Sequence, residues 1–169
     1  MKQFRTLFIA VALMIGATAF TNAQSKVAHI ASQELVETMP SYKEAMGQLE
    51  KLQKTYDAEI RDMMTEAQKT MQRYESEAAT KTEEENAKRA QELQGTQRRI
   101  QEHGQKAQQD LQKKELDLLK PVYEKARVAI QKVARAKGYD YVLDSSNGAG
   151  VIMADGYNLM PDVKKELGM

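Results

Sequence analysis

Apolar and small residues recur along the middle of the chain at intervals of three and four positions, which is the period of an α-helix. From Ser41 to about Ala79 there is no proline and a single glycine, Gly47. The repeating positions of this segment are Tyr42, Met46, Leu49, Leu52, Tyr56, Ile60, Met63, Ala67, Met71, Tyr74 and Ala78. A second segment repeats at Leu93, Ile100, Ala107, Leu111, Leu118, Val122, Ala126, Ile130 and Val133. The pattern predicts two long amphipathic helices.

The ends of these helices carry polar signals. Ser41 with Glu44, and Thr82 with Glu85, have the spacing of capping boxes, in which two side chains satisfy the first backbone N–H groups of a helix. Gly138 stands where a glycine ends a helix. We therefore expect one helix from Ser41 to about Ala79 and a second from Thr82 to about Ala136.

The two helices match each other as an antiparallel hairpin that turns near Lys81. In this register Ile60 faces Gly104 and Tyr56 faces Ala107, so large residues of the first helix meet small ones of the second. Such alternation is typical of a well-packed two-helix seam. The sequence thus predicts a long helical arm over residues 41–120.

The segments on either side of the arm change to short apolar runs. Residues 26–31, 139–144 and 151–154 each predict a strand, Ser32 begins a short helix that runs to about Thr38, and Pro161 opens a last short helix. The predicted fold is mainly α with a small β body, an α+β arrangement in which a helical hairpin stands on a short-stranded sheet. Residues 24–169 form one domain, with a body of residues 24–40 and 121–169.

The first 23 residues have the features of a secretory signal peptide. Lys2 and Arg5 precede an apolar run, and small residues stand before a predicted cleavage between Ala23 and Gln24. The alternative, a membrane anchor, needs about 20 apolar residues, more than this run offers. We expect an exported, soluble periplasmic protein.

The predicted body is too small for an independent core, because three short strands and two short helices bury little surface. Merging the sheets of several copies would supply the missing burial. The residues alone predict an oligomer without its order. The candidate core residues of that oligomer are Val27, Ile30, Val142, Leu143, Val151 and Ile152.

The composition of the chain limits the classes of partner and of chemistry that we expect. Removal of residues 1–23 leaves 23 basic and 24 acidic residues, a net charge of −1, and aromatic residues make up 6% of the chain. Nucleic-acid-binding domains usually carry a basic stripe with interleaved aromatics, so we expect no nucleic-acid partner. The chain has no cysteine, which excludes a disulfide framework and a thiol nucleophile.

The sequence contains no group of residues typical of catalysis. His29 and His103 lie in different regions, and neither has the spacing of a metal site. Residues 145–150 are glycine-rich but lack the Gly-Lys-Ser/Thr of a phosphate-binding loop. We expect no enzyme activity, no cofactor and no metal.

The arm carries the candidate binding residues. Met64 lies off the seam, and methionine is frequent on surfaces that accept varied apolar partners. Residues 94–114 have a net charge of +3, whereas residues 75–85 at the predicted tip have −4. A solvated face and a contact with acidic clients or lipid phosphates both fit the positive stretch. The candidate client-contact residues are Met64, Arg98, Arg99, Gln101, Gln105 and Lys106.

Several segments in order resemble the Skp/OmpH family of periplasmic chaperones. They are residues 26–30 (KVAHI), 39–45 (MPSYKEA), 121–123 (PVY), 137–144 (KGYDYVLD), and the closing Asp162-Val163 with Leu167-Gly168. The resemblance covers essentially the whole chain after the signal peptide. The acidic tip and the sequence Leu159-Met160-Pro161 before the last helix depart from the pattern of the family.

The resemblance implies a homotrimer whose β body combines strands from three chains and whose three hairpins surround a cavity. It also implies an ATP-independent holdase that binds unfolded outer-membrane β-barrel proteins, with lipopolysaccharide or an anionic lipid surface as a further partner. The alternative class is a non-catalytic scaffold or adaptor of the cell envelope, in which the hairpin spaces two partners.

Overall fold

The computed structural model describes residues 25–169, so the predicted signal peptide and its cleavage site between Ala23 and Gln24 lie outside the described residues. The described chain forms two compact units. We call residues 32–129 the arm unit, and residues 25–31 with 130–168 the base unit. The predicted boundary between arm and body at residues 40 and 121 stays a prediction.

The elements follow the predicted order. They are strand β1 (Val27–Ile30), helix α1 (Ser32–Thr38), helix α2 (Pro40–Glu77), a 3₁₀ turn (Ala78–Thr80), helix α3 (Glu83–Ala136), strand β2 (Tyr141–Asp144), strand β3 (Tyr157–Asn158) and helix α4 (Met160–Glu166). The fold is mainly helical with a small three-stranded sheet, which confirms the predicted fold class.

The base unit contains the sheet. All three strands are parallel in the order β2-β1-β3, and the central β1 pairs Val27 with Tyr141 and Ala28 with Tyr157. Helix α3 ends as predicted at a left-handed Gly138, with φ of 72°. The amide of Tyr139 donates to the carbonyl of Ala134 at 3.0 Å, which satisfies one of the last helical carbonyls.

The prediction of a strand at residues 151–154 was wrong. The third strand is β3, and Val151 and Ile152 lie in the connection that precedes it. An apolar run favours a strand locally, but a strand forms only where another strand pairs with it. Both edges of the four-residue β1 are taken by β2 and β3, and residues 151–154 pair with no strand of the described chain.

The prediction of a capping box at Ser41 and Glu44 was also wrong. Helix α2 begins one residue earlier, because Pro40 takes the first helical position, where no N–H is required. Met39 is therefore the N-cap residue, and its carbonyl accepts the amides of Tyr42 at 3.1 Å and Lys43 at 3.2 Å.

The other capping box is confirmed and begins α3. The Glu85 carboxylate accepts the Thr82 amide at 3.0 Å, and the Thr82 hydroxyl accepts the Glu85 amide at 3.2 Å. These bonds hold the pKa of Glu85 below its usual value, with the Thr82 amide as the main cause and nearby Lys81 as a second. Glu85 is therefore anionic at neutral pH, which suits a helix N-terminus.

Candidate functional site

Along most of the arm, no third element of the described chain covers the seam between the two helices. Between Ala45 and Ala107, no residue of α2, the turn or α3 is buried. Each helix can cover one side of its partner, so the seam residues of a lone hairpin keep part of their surface in water. Seam residues such as Leu52, Ile60 and Ile100 are half-buried. The arm thus presents a long, continuous and incompletely covered apolar strip.

The predicted register of the hairpin is confirmed in the middle of the arm. A Cβ at Gly104 would lie 3.9 Å from Cδ1 of Ile60, so the glycine faces that isoleucine. A methyl group at this distance makes an ordinary van der Waals contact. The seam therefore has room for alanine at this position.

Polar side chains join the two helices beside the seam. The Tyr56 hydroxyl donates to Asp110 at 3.2 Å, and the Tyr74 hydroxyl donates to Glu92 at 2.6 Å. Burial, followed by the Asp110 carboxylate, raises the pKa of Tyr56. For Tyr74 the bond to Glu92 is the main cause of a raised pKa. Both hydroxyls are therefore protonated at neutral pH and serve as donors that hold the helices in register.

A groove of about 830 Å³ opens between α2 and α3 at one end of the arm. Its apolar wall consists of Tyr42, Met46, Leu49 and Leu111. The exposed fraction of Met46 is 41%, although its spacing predicted a seam position. The groove is a concave surface with an apolar wall drawn from both helices of the arm unit.

Gly47 lies in this groove and has no packing partner. A Cβ there would have no heavy atom within 4 Å, in contrast to Gly104. Glycine inside a helix costs about 1 kcal/mol relative to alanine. The packing of the arm itself therefore does not explain this glycine.

The rim of the groove carries more acidic than basic side chains. Glu37, Glu50 and Glu115 line it together with one lysine, Lys43. Glu50 pairs with Lys54 at 2.6 Å, whereas Glu115 has no ion pair among the residues described. The local charge is therefore negative.

The predicted client-contact residues lie elsewhere on the arm. Met64 on α2 is 58% exposed, and the predicted residues of α3 are exposed too. None of them lines the groove. Their role in client binding stays a prediction. The residues concerned on α3 are Arg98, Arg99, Gln101, Gln105 and Lys106.

Sequence reasoning missed the groove because helical periodicity assigns a residue to a face without showing how much that face is covered. Met46 and Leu49 match the seam pattern as well as Ile60 does. Gly47, the single glycine of the first helix, was the available signal. Two helical glycines, Gly47 and Gly95, have no neighbour within 4 Å, and of these two Gly47 lines the groove.

The predicted oligomer core divides into two groups in the base unit. Ile30 is buried and Val142 half-buried, whereas Val27 and Leu143 are exposed on the sheet together with Tyr141. Val151 is half-buried and Ile152 fully exposed, both outside any strand. The sheet thus leaves an apolar face uncovered by its own chain.

His29 bridges the two flanks of β1 in the base unit. Its Nε2 donates to the carbonyl of Gly156 at 3.2 Å, and its Nδ1 forms a hydrogen bond with the Ser145 hydroxyl at 3.1 Å. Within residues 25–169, no group of three or more histidine, aspartate or glutamate side chains could hold a metal ion. No helix in that range is long and apolar enough to cross a membrane.

Comparison with known proteins identifies the family to which the chain belongs. A family model described as "Outer membrane protein (OmpH-like)" matches residues 26–167, which is nearly all of the described chain. The chain belongs to the OmpH-like family. The resemblance seen in the short sequence segments is therefore confirmed.

Relatives of this OmpH-like chain match it over most of their length. The Chaperone protein Skp of Photorhabdus laumondii is 25% identical over 159 residues, which cover 94% of this chain and 93% of that protein. The Chaperone protein Skp of Pectobacterium atrosepticum is 22% identical over 155 residues, with 92% and 93% covered.

A solved structure shares the fold. The crystal structure of an OmpH-like protein from Caulobacter crescentus CB15 superposes with a TM-score of 0.74. The match covers 86% of this chain and 85% of that one at 20% sequence identity. The helical hairpin with a small sheet is therefore a fold that this OmpH-like chain shares with a distant relative.

Proposed function

We propose that this OmpH-like protein is an ATP-independent periplasmic holdase, which binds unfolded outer-membrane β-barrel proteins on its arms and prevents their aggregation. The half-covered seam of the arm is the observation that carries the proposal. It offers apolar contact along two helices without a deep pocket, and unfolded chains of different sequence can use such a surface.

The family supports this choice over a passive scaffold. Two relatives that match nearly the whole chain are named chaperones. A scaffold would need two separate docking sites, whereas the exposed apolar surface of the arm is distributed along its length. Exposed apolar patches on soluble proteins usually mark interaction sites.

The sequence of the glycine-rich segment supports the proposal that holding needs no ATP. The glycine-rich segment 145–150 has left-handed Gly148 and Gly150, lies between β2 and β3, and does not open a long helix. It also lacks the lysine of a phosphate-binding loop. We infer a non-enzymatic protein that releases its clients when they fold elsewhere.

We further propose that the base unit assembles the protein into a homotrimer. The uncovered face formed by Val27, Tyr141 and Leu143 supports assembly, because a small sheet needs additional burial for stability. Val142, Val151 and Ile152 are the other proposed members of this interface, and Ile30, which its own chain already buries, is proposed as a core residue behind it. The signal peptide predicted for residues 1–23 would deliver the protein to the periplasm.

The client contacts that we propose on the arm combine an apolar and a basic group. Met64 supplies the apolar contact, and exposed cations and amides of α3 supply polar contacts to acidic client segments. The same cations are the residues that an anionic lipid surface, including lipopolysaccharide, would meet. The proposed polar contacts are Arg98, Arg99, Gln101, Gln105 and Lys106.

Aggregation of a urea-denatured outer-membrane β-barrel protein, followed by light scattering after dilution, tests the proposal. The wild-type protein should suppress scattering equally with and without ATP. Met64→Glu should weaken suppression, whereas Thr65→Glu, which adds the same charge at the neighbouring exposed position, should not. A wild-type protein that leaves the scattering unchanged would contradict the holdase function and favour a scaffold.

A further inference from the structure

We propose that the groove between α2 and α3 is a discrete binding site for short unfolded segments that combine an apolar side chain with lysine or arginine. The proposal rests on the holdase function and deepens it, because it states which client segments bind at this place. The geometry points to selection by charge at one end of an arm whose remaining surface is less selective.

The groove has the size of a ligand site. Its volume of about 830 Å³ falls within the roughly 300–1,000 Å³ that small-ligand pockets occupy. Tyr42, Met46, Leu49 and Leu111 give it an apolar wall drawn from both helices. Such a wall can bury one or two aliphatic or aromatic side chains of a bound segment.

Gly47 allows a close approach to the backbone of α2. The space above it is open to 4 Å, although alanine would favour the helix more. A bound chain would explain the glycine, because its side chain could contact α2 where a Cβ would otherwise stand. Gly104, by comparison, already has a neighbour within the arm, Ile60.

The acidic rim determines the charge of the occupant. Three carboxylates and one ammonium group line the groove around its apolar wall. They belong to Glu37, Glu50, Glu115 and Lys43. Two of the three carboxylates have polar partners: Glu37 accepts the Gln33 amide at 2.9 Å, and Glu50 pairs with Lys54 at 2.6 Å. Glu115 has no ion pair among the described residues and is the strongest candidate to bind an incoming cation.

Charge complementarity thus favours a basic segment over an acidic one. An exposed ion pair changes affinity by up to about fivefold, and salt screens it. Two or three such contacts around an apolar anchor give a preference of about tenfold or more at low salt. A second copy of the chain is the competing occupant, and the oligomeric state of the groove variants tests it.

The probes are two fluorescent twelve-residue peptides with the same leucine positions, one with lysine and one with glutamate between them. Fluorescence anisotropy with the wild-type protein gives both dissociation constants at low and at high salt. The basic peptide should bind about tenfold more tightly at low salt, and the difference should shrink at high salt. Equal binding of the two peptides would overturn the proposal.

Two pairs of variants locate the binding. Gly47→Leu fills the groove and should weaken the basic peptide about tenfold, whereas Gly95→Leu, at another helical glycine with open space around it, should change binding less than about twofold. Glu115→Lys should weaken the basic peptide about fivefold or more, and Glu102→Lys, an exposed position on α3 outside the groove, should not.

The remaining outcomes decide between the proposals. Thermal melts show that each variant folds, and light scattering gives its mass. Equal effects within either pair, or a change of oligomeric state confined to Gly47→Leu, would overturn the groove as a client site. A wild-type protein that suppresses aggregation but shows no charge preference would retain the holdase function and lose this inference alone.

Discussion

The middle of the arm unit and the base unit differ in how completely they bury their apolar side chains. The arm consists of long helices whose hydrogen bonds are local, and between Ala45 and Ala107 it buries no residue. The base pairs strands that are more than 100 residues apart and buries Leu159 and Val163 completely. The difference shows that the middle of the arm exposes apolar surface along its length, whereas burial is concentrated in a few side chains of the base and, within the arm unit, at residues outside this stretch such as Leu35 and Met39.

Leu159→Ala should give the largest effect and should affect the base alone. The side chain is fully buried, so its truncation should cost about 2–5 kcal/mol. Hydrogen exchange should then increase in β1, β2 and β3 and change little in the middle of the arm. Met153→Ala, at a side chain that is 76% exposed and outside the proposed interface, is the control and should stay within about 0.5 kcal/mol. An equal loss of hydrogen-exchange protection in the arm would contradict the expectation that this substitution affects the base alone.

Leu143→Asp should dissociate the proposed trimer. The side chain is exposed in the single chain, so the protomer should keep its fold, but a buried carboxylate in the merged sheet should weaken association about 100-fold or more. Light scattering at micromolar concentration should give three protomers for wild type and one for the variant. Leu116→Asp, exposed in the arm unit, should remain trimeric. A monomeric wild type would refute the assembly.

Replacing glycine by alanine should change the free energy of unfolding in opposite directions at different positions. Gly138→Ala forces a side chain into a left-handed conformation at the end of α3 and should destabilise the protein by about 1–2 kcal/mol. Gly95→Ala has open space in a helix interior and should stabilise the arm by about 0.5–1 kcal/mol. Gly104→Ala should also stabilise, because its methyl group would reach ordinary contact distance from Ile60. Urea titrations measure all three changes.

Thr82→Ala should destabilise the start of α3 by about 1 kcal/mol, because the Glu85 amide loses the hydroxyl that caps it. Hydrogen exchange should become faster in the first turn of α3 and remain unchanged in the base unit. Thr65→Ala is the control, since that hydroxyl bonds a carbonyl within the interior of α2. A similar loss of protection from both changes would show that the cap has no special role.

Acid should weaken one polar cluster of the base. The Tyr157 hydroxyl and Lys137 both bond Asp162 and hold the pKa of its carboxyl below the ordinary value, with the tyrosine as the main cause. A lowered pKa stabilises the folded state above the unfolded value of about 3.9, and this stabilisation is lost as the pH falls through the folded value. Asp162→Asn should flatten this part of the acid titration of stability. An unchanged titration would exclude the cluster as its cause.

The arm could be predicted from the sequence because its signals are local. Helical period, the Thr82–Glu85 capping box and the match of Ile60 with Gly104 all depend on spacings along one or two helices. The pattern could not show how much of each seam side chain the rest of the protein shields from water. Met46 fits the seam pattern but is 41% exposed, because a two-helix hairpin has no third layer to cover it.

The base was predicted less well because its pairing is long-range. Val27–Ile30 and Tyr141–Asp144 were recognisable as apolar runs, but the partner at the second edge of β1 was not. The short strand Tyr157–Asn158 takes that edge, and its two residues carry no strand pattern of their own. The more apolar run at residues 151–154 was therefore mistaken for the third strand.

The difference between the two units leads to one decisive measurement, which is where an unfolded client touches the protein. A photo-crosslinking residue can replace Met46 in the groove, Met64 in the middle of the arm, or Met153 in the base, all of which are exposed in the single chain. After addition of a denatured outer-membrane β-barrel protein and illumination, mass spectrometry should find client adducts at positions 46 and 64 and none at 153. Adducts confined to position 153 would contradict the assignment of client binding to the arm.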